Sequence, residues 1–395
     1  MKFLIINTDY PDFIEWLYVQ HPELERESYD RQMQVRAESL FGVADFYSSN
    51  LRRLGHEACD LHVNNEWLQR QWAKEHGVHG GASIFTGRSV RATLQRVRRW
   101  AGRTPLRFLK PVVRPVLGSS HEKQSWFNEI LAAQIRYHKP DVILNQAMDG
   151  VCSQFLREMK SHARLLVGQI ASPLPRNEDF RVYDLVLSSL PNYVEYFRRM
   201  GVRAELQRFA FEPRIINRLE NPGNKIEVSF VGSLSSHHKE RIHLLEYLCG
   251  QLDMKVWGQG MDGLTKNSPV RRQHKGMAWG IGMYRILHQS KVTLNHHIGI
   301  AESLANNMRL FEATGVGTLL ITDWKTNLEE MFKIDQEVVA YRTPQECAEK
   351  IRHYLQREDE RQSIAKAGQK RTLEEHTYDR RMKELVDLVR SYSGG

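Results

Sequence analysis

The chain predicts an α/β protein made of two doubly wound parallel sheets facing each other across a cleft. Short apolar runs of strand length alternate with amphipathic helical stretches along its whole length, the pattern of repeated βαβ units. The pattern stops once, at 211–225. There Glu212-Pro213 and Asn221-Pro222-Gly223-Asn224 supply breakers without an apolar period, and afterwards the alternation restarts. Finally, 395 residues exceed what one hydrophobic core ordinarily serves, so two domains are expected.

In the first half, strands are expected at 2–7, 57–63, 141–145, 165–170, 185–188 and 205–209. Long helices are expected at 30–54, stopped by Gly55-His56, and at 125–137. The second half should have strands at 226–231, 254–257, 292–295, 318–322 and 338–341. Its helices should fall at 237–252, 279–289, 307–314, 344–355, 361–376 and 378–389. This sets a first domain over 1–212, a second over 225–377, and a terminal helix at about 378–392.

Hydrophobic residues at 41% and charged residues at 26% are ordinary for a soluble globular protein. No run approaches the roughly 18 uncharged apolar residues of a membrane span. Met1–Asn7 turns polar too soon for a signal peptide. Cys59, Cys152, Cys249 and Cys347 have no paired spacing, which argues for a reducing, cytoplasmic setting.

The net charge of +9 is concentrated. Nine basic residues and no acidic one lie at 88–114, and Val90, Leu94, Val97 and Trp100 recur there at helical spacing. Such a basic amphipathic helix suits an anionic membrane surface or an anionic acceptor, or it packs on its own domain. No RNA- or DNA-reading motif flanks it, so nucleic acid is not an expected partner.

The chemistry gathers after strands of the second half. Gly232-Ser233 turns into a helix, where small residues let an anion approach backbone amides, and Lys239 and Arg241 add positive charge. Trp257-Gly258 offers a stacking face, Lys275 a cation on another loop, and Tyr284 a hydroxyl on the following helix. His296-His297 closes a strand. Neighbours on a strand point oppositely, so one of the two, taken as His296, is expected toward the cleft. Without a carboxylate at ligand spacing the pair does not suggest a metal site. Asn307, Arg309 and Glu312 open a short helix, and a carboxylate there suits the paired hydroxyls of a ribose. In the first half Asp9 and Asp149 follow strands and are candidate general bases, although both also fit turns; His21 is a weaker candidate.

The series Phe230-Val231-Gly232-Ser233-Leu234, Asn307-Met308-Arg309-Leu310-Phe311-Glu312-Ala313 and Gly315-Val316-Gly317-Thr318-Leu319-Leu320-Ile321-Thr322-Asp323 resembles the nucleotide-sugar-binding half of GT-B glycosyltransferases. More narrowly, it is similar to the CgeB-like (spore maturation protein) group related to glycosyltransferase family 4, over roughly 227–387. The resemblance implies two Rossmann-like domains, with the terminal helix crossing back onto the first. It implies Glu312 on the donor ribose, Asn307 and Arg309 along the sugar diphosphate, Gly232 and Ser233 beneath it, Lys239 or Arg241 neutralising it, and Trp257 and Gly258 beside the base. The implied reaction is metal-independent transfer from a nucleoside-diphosphate sugar, with no cofactor, to a hydroxyl of a glycan, lipid-linked or small-molecule acceptor. Family 4 carries a further glutamate eight positions before the ribose one. Here that position is Leu304, with Glu302 out of phase, so retention or inversion stays open. An epimerase on the same fold and a non-catalytic binder of anionic surfaces are the alternatives.

Overall fold

The computed structural model describes residues 1–78, 120–220, 226–235 and 238–393. The expected basic helix at 88–114 and part of the breaker-rich stretch lie outside the described residues.

The first half runs β1 (Lys2–Asn7), α1 (Pro11–Gln20), α2 (Tyr29–Glu38), α3 (Phe46–Arg53), β2 (Glu57–His62), α4 (Glu66–Glu75), α5 (Ser120–His138) and β3 (Val142–Asn145). It continues through α6 (Ser153–Met159), β4 (Leu165–Gln169), β5 (Leu185–Ser188), α7 (Pro191–Arg199) and β6 (Ala204–Leu206). Its strands form a parallel sheet in the order β2-β1-β3-β4-β5-β6. Parallel sheets are covered on both faces, which is why Phe3, Leu4, Ile5 and Ile6 are all fully buried.

The second half runs β7 (Ile226–Val231), α8 (Lys239–Cys249), β8 (Met254–Trp257), α9 (Pro269–Gln273), α10 (Gly280–His288), β9 (Ser290–Asn295), α11 (Arg309–Gly315) and β10 (Leu319–Asp323). It ends with β11 (Val339–Tyr341), α12 (Pro344–Gln356), α13 (Glu358–Glu375) and α14 (Tyr378–Ser393). The second parallel sheet has the order β11-β10-β9-β7-β8.

One expectation is corrected. The helix read over 30–54 is two helices, because Leu40 and Ala44 take left-handed backbone conformations at φ 57° and 41°. Tertiary contacts impose the break: Phe41 stacks on Phe13 at 4.3 Å, and the Ser39 carbonyl accepts a hydrogen bond from Ile281 N of α10 at 3.0 Å. The stretch beginning at Phe211, which leads from the first half to the second, is packed at its start. Phe211 and Glu212 are buried, Pro213–Arg218 forms a 3₁₀ turn, and Asn50 Nδ2 of α3 donates to Glu212 Oε2 at 2.7 Å.

The chain passes between the halves twice, and the two passages are bonded together. Phe211 N donates to His376 O at 2.8 Å, and Tyr378 N donates to Phe211 O at 3.1 Å. The Phe211 ring lies on Gly315, where an added Cβ would sit 2.4 Å from it, so glycine is needed for this close approach. As expected, α14 returns onto the first half. Tyr378 packs on Phe46 and Tyr47 at 5.1 and 5.5 Å, and Tyr392 donates to Glu205 Oε1 at 2.8 Å. One hydrophobic cluster therefore runs from Phe3 and Ile5 through Phe211 to Tyr284, Leu310 and Phe311. Phe211→Ala should cost about 3–5 kcal/mol. In urea, far-ultraviolet dichroism and tryptophan fluorescence should both show an earlier midpoint, since the cavity opens in a core that both halves share.

Candidate active site

In each sheet the strand order reverses once, beside β1 in the first and β7 in the second. Open α/β sheets bind ligands outside the carboxyl ends of the strands at such points. Beyond β7 and β8 the loops pack through their backbones. Gly232 N donates to Trp257 O at 2.9 Å, Leu234 N to Gln259 O at 2.7 Å, and Gly258 N to Gly276 O at 3.0 Å. A Cβ at Gly258 would fall 1.8 Å from the Gly232 carbonyl oxygen, so a side chain there is excluded outright.

Arg241 of α8 staples the two sides of this point. Its Nη1 donates to Ser233 O at 3.0 Å, beyond β7, and its Nη2 to His296 O at 2.6 Å, beyond β9. Burial lowers its pKa to about 10. Its Nε has no hydrogen-bond partner among the described residues. Arg241 is thus a buried cation bonded to neutral carbonyls, and the nearby charge of Asp323 favours its protonated form.

Across it stands α11. The Glu312 side chain is buried, with Oε2 2.8 Å from Arg309 Nη1 and Oε1 accepting from the Tyr284 hydroxyl at 3.4 Å. Arg309 Nη2 also donates to Val231 O at 3.1 Å, tying this pair to the end of β7. Asn307 fixes the start of the helix: its Oδ1 accepts from Leu310 N at 3.2 Å and its Nδ2 donates to Asn295 Oδ1 at 2.7 Å. Beyond β9, His297 Nδ1 lies 2.7 Å from Asp323 Oδ1, while His296 Nδ1 lies 3.0 Å from the Tyr341 hydroxyl. Burial works to raise the pKa of Asp323, but His297, His296 and Lys325 outweigh it and hold the carboxyl well below the usual range.

In the first sheet Asp9 is buried. Arg36 Nη2 and Nε donate to its two oxygens at 2.5 and 3.2 Å, and His62 Nδ1 lies 3.0 Å from Oδ2. Burial would raise its pKa, yet Arg36 and His62 drive it far below the ordinary carboxylate range. A carboxylate so engaged is a poor proton acceptor, which corrects the expectation of a free base at position 9. Asp149 is exposed, in a turn closed by Gly150 N donating to Ala147 O at 2.9 Å.

Comparison with known proteins adds to this geometry. Residues 239–387 match the model of the glycosyl transferase-like family. HepE from Anabaena, solved with UDP-glucose, superposes with a TM-score of 0.60 at 10% identity, over 99% of this chain and 100% of that one. A glycosyltransferase from Rickettsia africae gives 0.56 at 9% identity over 100% and 99%. AviGT4, a glycosyltransferase of avilamycin A biosynthesis, gives 0.54 at 13% over 100% and 98%. No curated protein matches at a significant level. The chain has the two-domain GT-B fold.

Around the second sheet, the structure gathers Gly232, Ser233, Arg241, Trp257, Gly258, His296, Asn307, Arg309 and Glu312 onto consecutive strand ends. Tyr284 is fully buried against Glu312 and supports it from behind. Lys239 and Lys275 are exposed, and among the described residues neither side chain is bonded into this network. Sequence reasoning missed Arg36 and His62, which hold Asp9, and the His297–Asp323 pair. Its one available signal for that pair was that both residues sit at strand ends. Among the described residues no group of three or more His, Cys, Asp or Glu is placed to hold a metal ion.

In the first sheet, near the Arg36 and His62 that hold Asp9, Asp60 of β2 is buried and bonded to Ser48. Burial pushes its carboxyl up to about 6, against the lowering effect of that hydrogen bond. An acid whose folded pKa is raised contributes fully below its unfolded value, and the contribution is lost as pH rises through the folded pKa. Asp60→Asn should therefore gain on the natural protein by about 1–3 kcal/mol between about pH 4 and pH 8. Urea midpoints at the two pH values measure this.

Proposed function

We propose that this protein is a glycosyltransferase that moves a sugar from a nucleoside-diphosphate sugar to a hydroxyl of a glycan, lipid-linked or small-molecule acceptor. The observation that carries the reading is Glu312, a buried carboxylate held by Arg309 and Tyr284 at the strand ends of the β7 switch point. In this reading Glu312 accepts hydrogen bonds from both ribose hydroxyls, and Asn307 and Arg309 line the diphosphate. Gly232 and Ser233 let it approach the backbone, Arg241 supplies positive charge, and Trp257 and Gly258 border the base.

Departure of the nucleoside diphosphate is favoured by these cations and amides, which can serve without a metal ion. The second half, over 225–377, would hold the donor. The first, over 1–212 with α14, would hold the acceptor, with Asp149 near its hydroxyl as the base. The Asn-x-Arg-x-x-Glu block supports the narrower CgeB-like assignment. HepE was solved with UDP-glucose, which supports the donor class. No helix among the described residues is long and apolar enough to cross a membrane. Contact with an anionic surface or acceptor is assigned to 88–114, outside the described residues.

A thermal-shift screen across the diphosphates of uridine, guanosine, deoxythymidine and adenosine tests the donor reading. A bound diphosphate at a hundredfold excess over Kd should add about 2.7 kcal/mol. Glu312→Gln, which keeps the shape of the side chain, should weaken that binding by about 10–100-fold. A protein indifferent to all four diphosphates, or a Glu312→Gln variant that binds as well as the natural one, would refute it.

A further inference from the structure

Thr8, Asp9 and Tyr10 leave the end of β1 alternately out, in and out. Asp9 is locked inward by Arg36 and His62, so its neighbours are held facing solvent. Tyr10 is 57% exposed, unusual for a ring beside two other aromatics. Its centroid lies 5.9 Å from Phe41 and 6.4 Å from Trp279, so the ring has a fixed seat at the junction of the two halves.

The hydroxyl of Tyr10 is raised in pKa by the surrounding protein and by the charge of Asp149. Asp149 is exposed as well, on the loop after β3. The loop after β3 is fitted to this end of β1: an added Cβ at Gly150 would meet Thr8 Cγ2 at 3.3 Å. Trp279 is buried, and its Nε1 has no hydrogen-bond partner among the described residues.

Tyr10 is also near the donor side. Trp279 follows Gly276, whose carbonyl is bonded to Gly258 N, by three residues. Three residues span at most about 10 Å.

We propose that Tyr10 is the platform of an acceptor subsite for a carbohydrate, with the apolar face of a sugar ring lying on its ring and Asp149 taking hydrogen bonds from the sugar's hydroxyls. An exposed aromatic face beside a carboxylate matches a pyranose, which is apolar on its ring face and polar at its edge. It fits neither a lipid chain, which has no use for the carboxylate, nor a phosphate, which the carboxylate repels. This rests on the donor reading above and narrows its acceptor to a sugar. In the transfer, the bond from C1 of the donor sugar to the diphosphate breaks and its electron pair stays on the diphosphate. An acceptor hydroxyl oxygen forms the new bond to C1, and its proton passes to Asp149.

The test uses the full chain, the nucleotide sugar identified by binding, and p-nitrophenyl glucoside, galactoside, mannoside and N-acetylglucosaminide as acceptors, with glycerol and 1-octanol as non-sugar alcohols. The natural enzyme should glycosylate at least one glycoside and prefer it to both alcohols. Tyr10→Phe should keep the acceptor KM within about threefold. Tyr10→Ala should raise it at least about tenfold. In both variants the donor KM and the acceptor-free hydrolysis of the donor should be unchanged, which also shows that they are folded. Donor cleavage with no transfer to any glycoside, preference for an alcohol, or an unchanged acceptor KM in Tyr10→Ala would overturn the subsite while leaving the donor reading intact. So would an equal loss in Tyr10→Phe, because it would assign the role to the hydroxyl instead of the ring. A natural protein that binds no nucleotide overturns both.

Discussion

The two passages of the chain between the halves meet where Phe211 pairs its backbone with the segment 376–378 and presses its ring onto Gly315. Both passages of the chain between the sheets run through that bridge. The outgoing passage fixes where β7 begins, and the return passage sends α14 back against α3. Because the ring contributes to the hydrophobic cluster shared by both sheets, the halves cannot separate there without opening a core. Relative motion between them would have to be accommodated elsewhere, at the Ser39–Ile281 hydrogen bond and the rings around Trp279.

Buried charge is used consistently at the strand ends. Asp9 with Arg36 in the first sheet, and Glu312 with Arg309 in the second, are pairs withdrawn from water and completed by further polar partners. Such pairs add little net stability, but removing one partner typically costs about 3–5 kcal/mol, so they fix the geometry of their surroundings. The pair at Asp9 fixes which neighbouring side chains face outward. The pair at Glu312 links the start of α11 to the end of β7. Arg241 is the exception: its contacts are to carbonyls, so the positive charge it brings to the crevice is not cancelled by a carboxylate in contact with it.

Much of this was legible in the sequence because strand runs and breakers act locally. The strands at 2–7, 185–188, 226–231 and 254–257 have the boundaries their apolar runs imply. The gathering of Gly232, Arg241, Asn307, Arg309 and Glu312 follows once they are placed after consecutive parallel strands. What was not legible is set by contacts distant in sequence. Arg36 lies 27 positions from the carboxylate it neutralises, and no spacing rule links them. Leu40 and Ala44 break a well-formed helical pattern because Ser39 and Phe41 are claimed by α10 and α1. Of the adjacent histidines, His297 lies closer to a carboxylate, 2.7 Å from Asp323 against 3.9 Å for His296, because Asp323 ends the neighbouring strand. Register between β9 and β10 decides that, and the sequence does not display it.

The two switch points are built in opposite ways, and the difference matches the donor and acceptor roles proposed for them. Beyond β7 the wall is backbone: amides, carbonyls and a glycine that tolerates no side chain, stapled by Arg241. A surface of that kind suits a ligand whose phosphates are the same whatever sugar they carry, since backbone groups read charge and shape and do not depend on side-chain identity. Beyond β1 the outward groups are side chains, Thr8, Tyr10 and Asp149, seated on a buried ion pair. Side chains can be exchanged without disturbing the strand that presents them, so selectivity for an acceptor can change there while the grip on the donor does not. That division requires the buried pair at Asp9 to be structural, because a residue that reset its own protonation during each turnover could not also hold its neighbours in place.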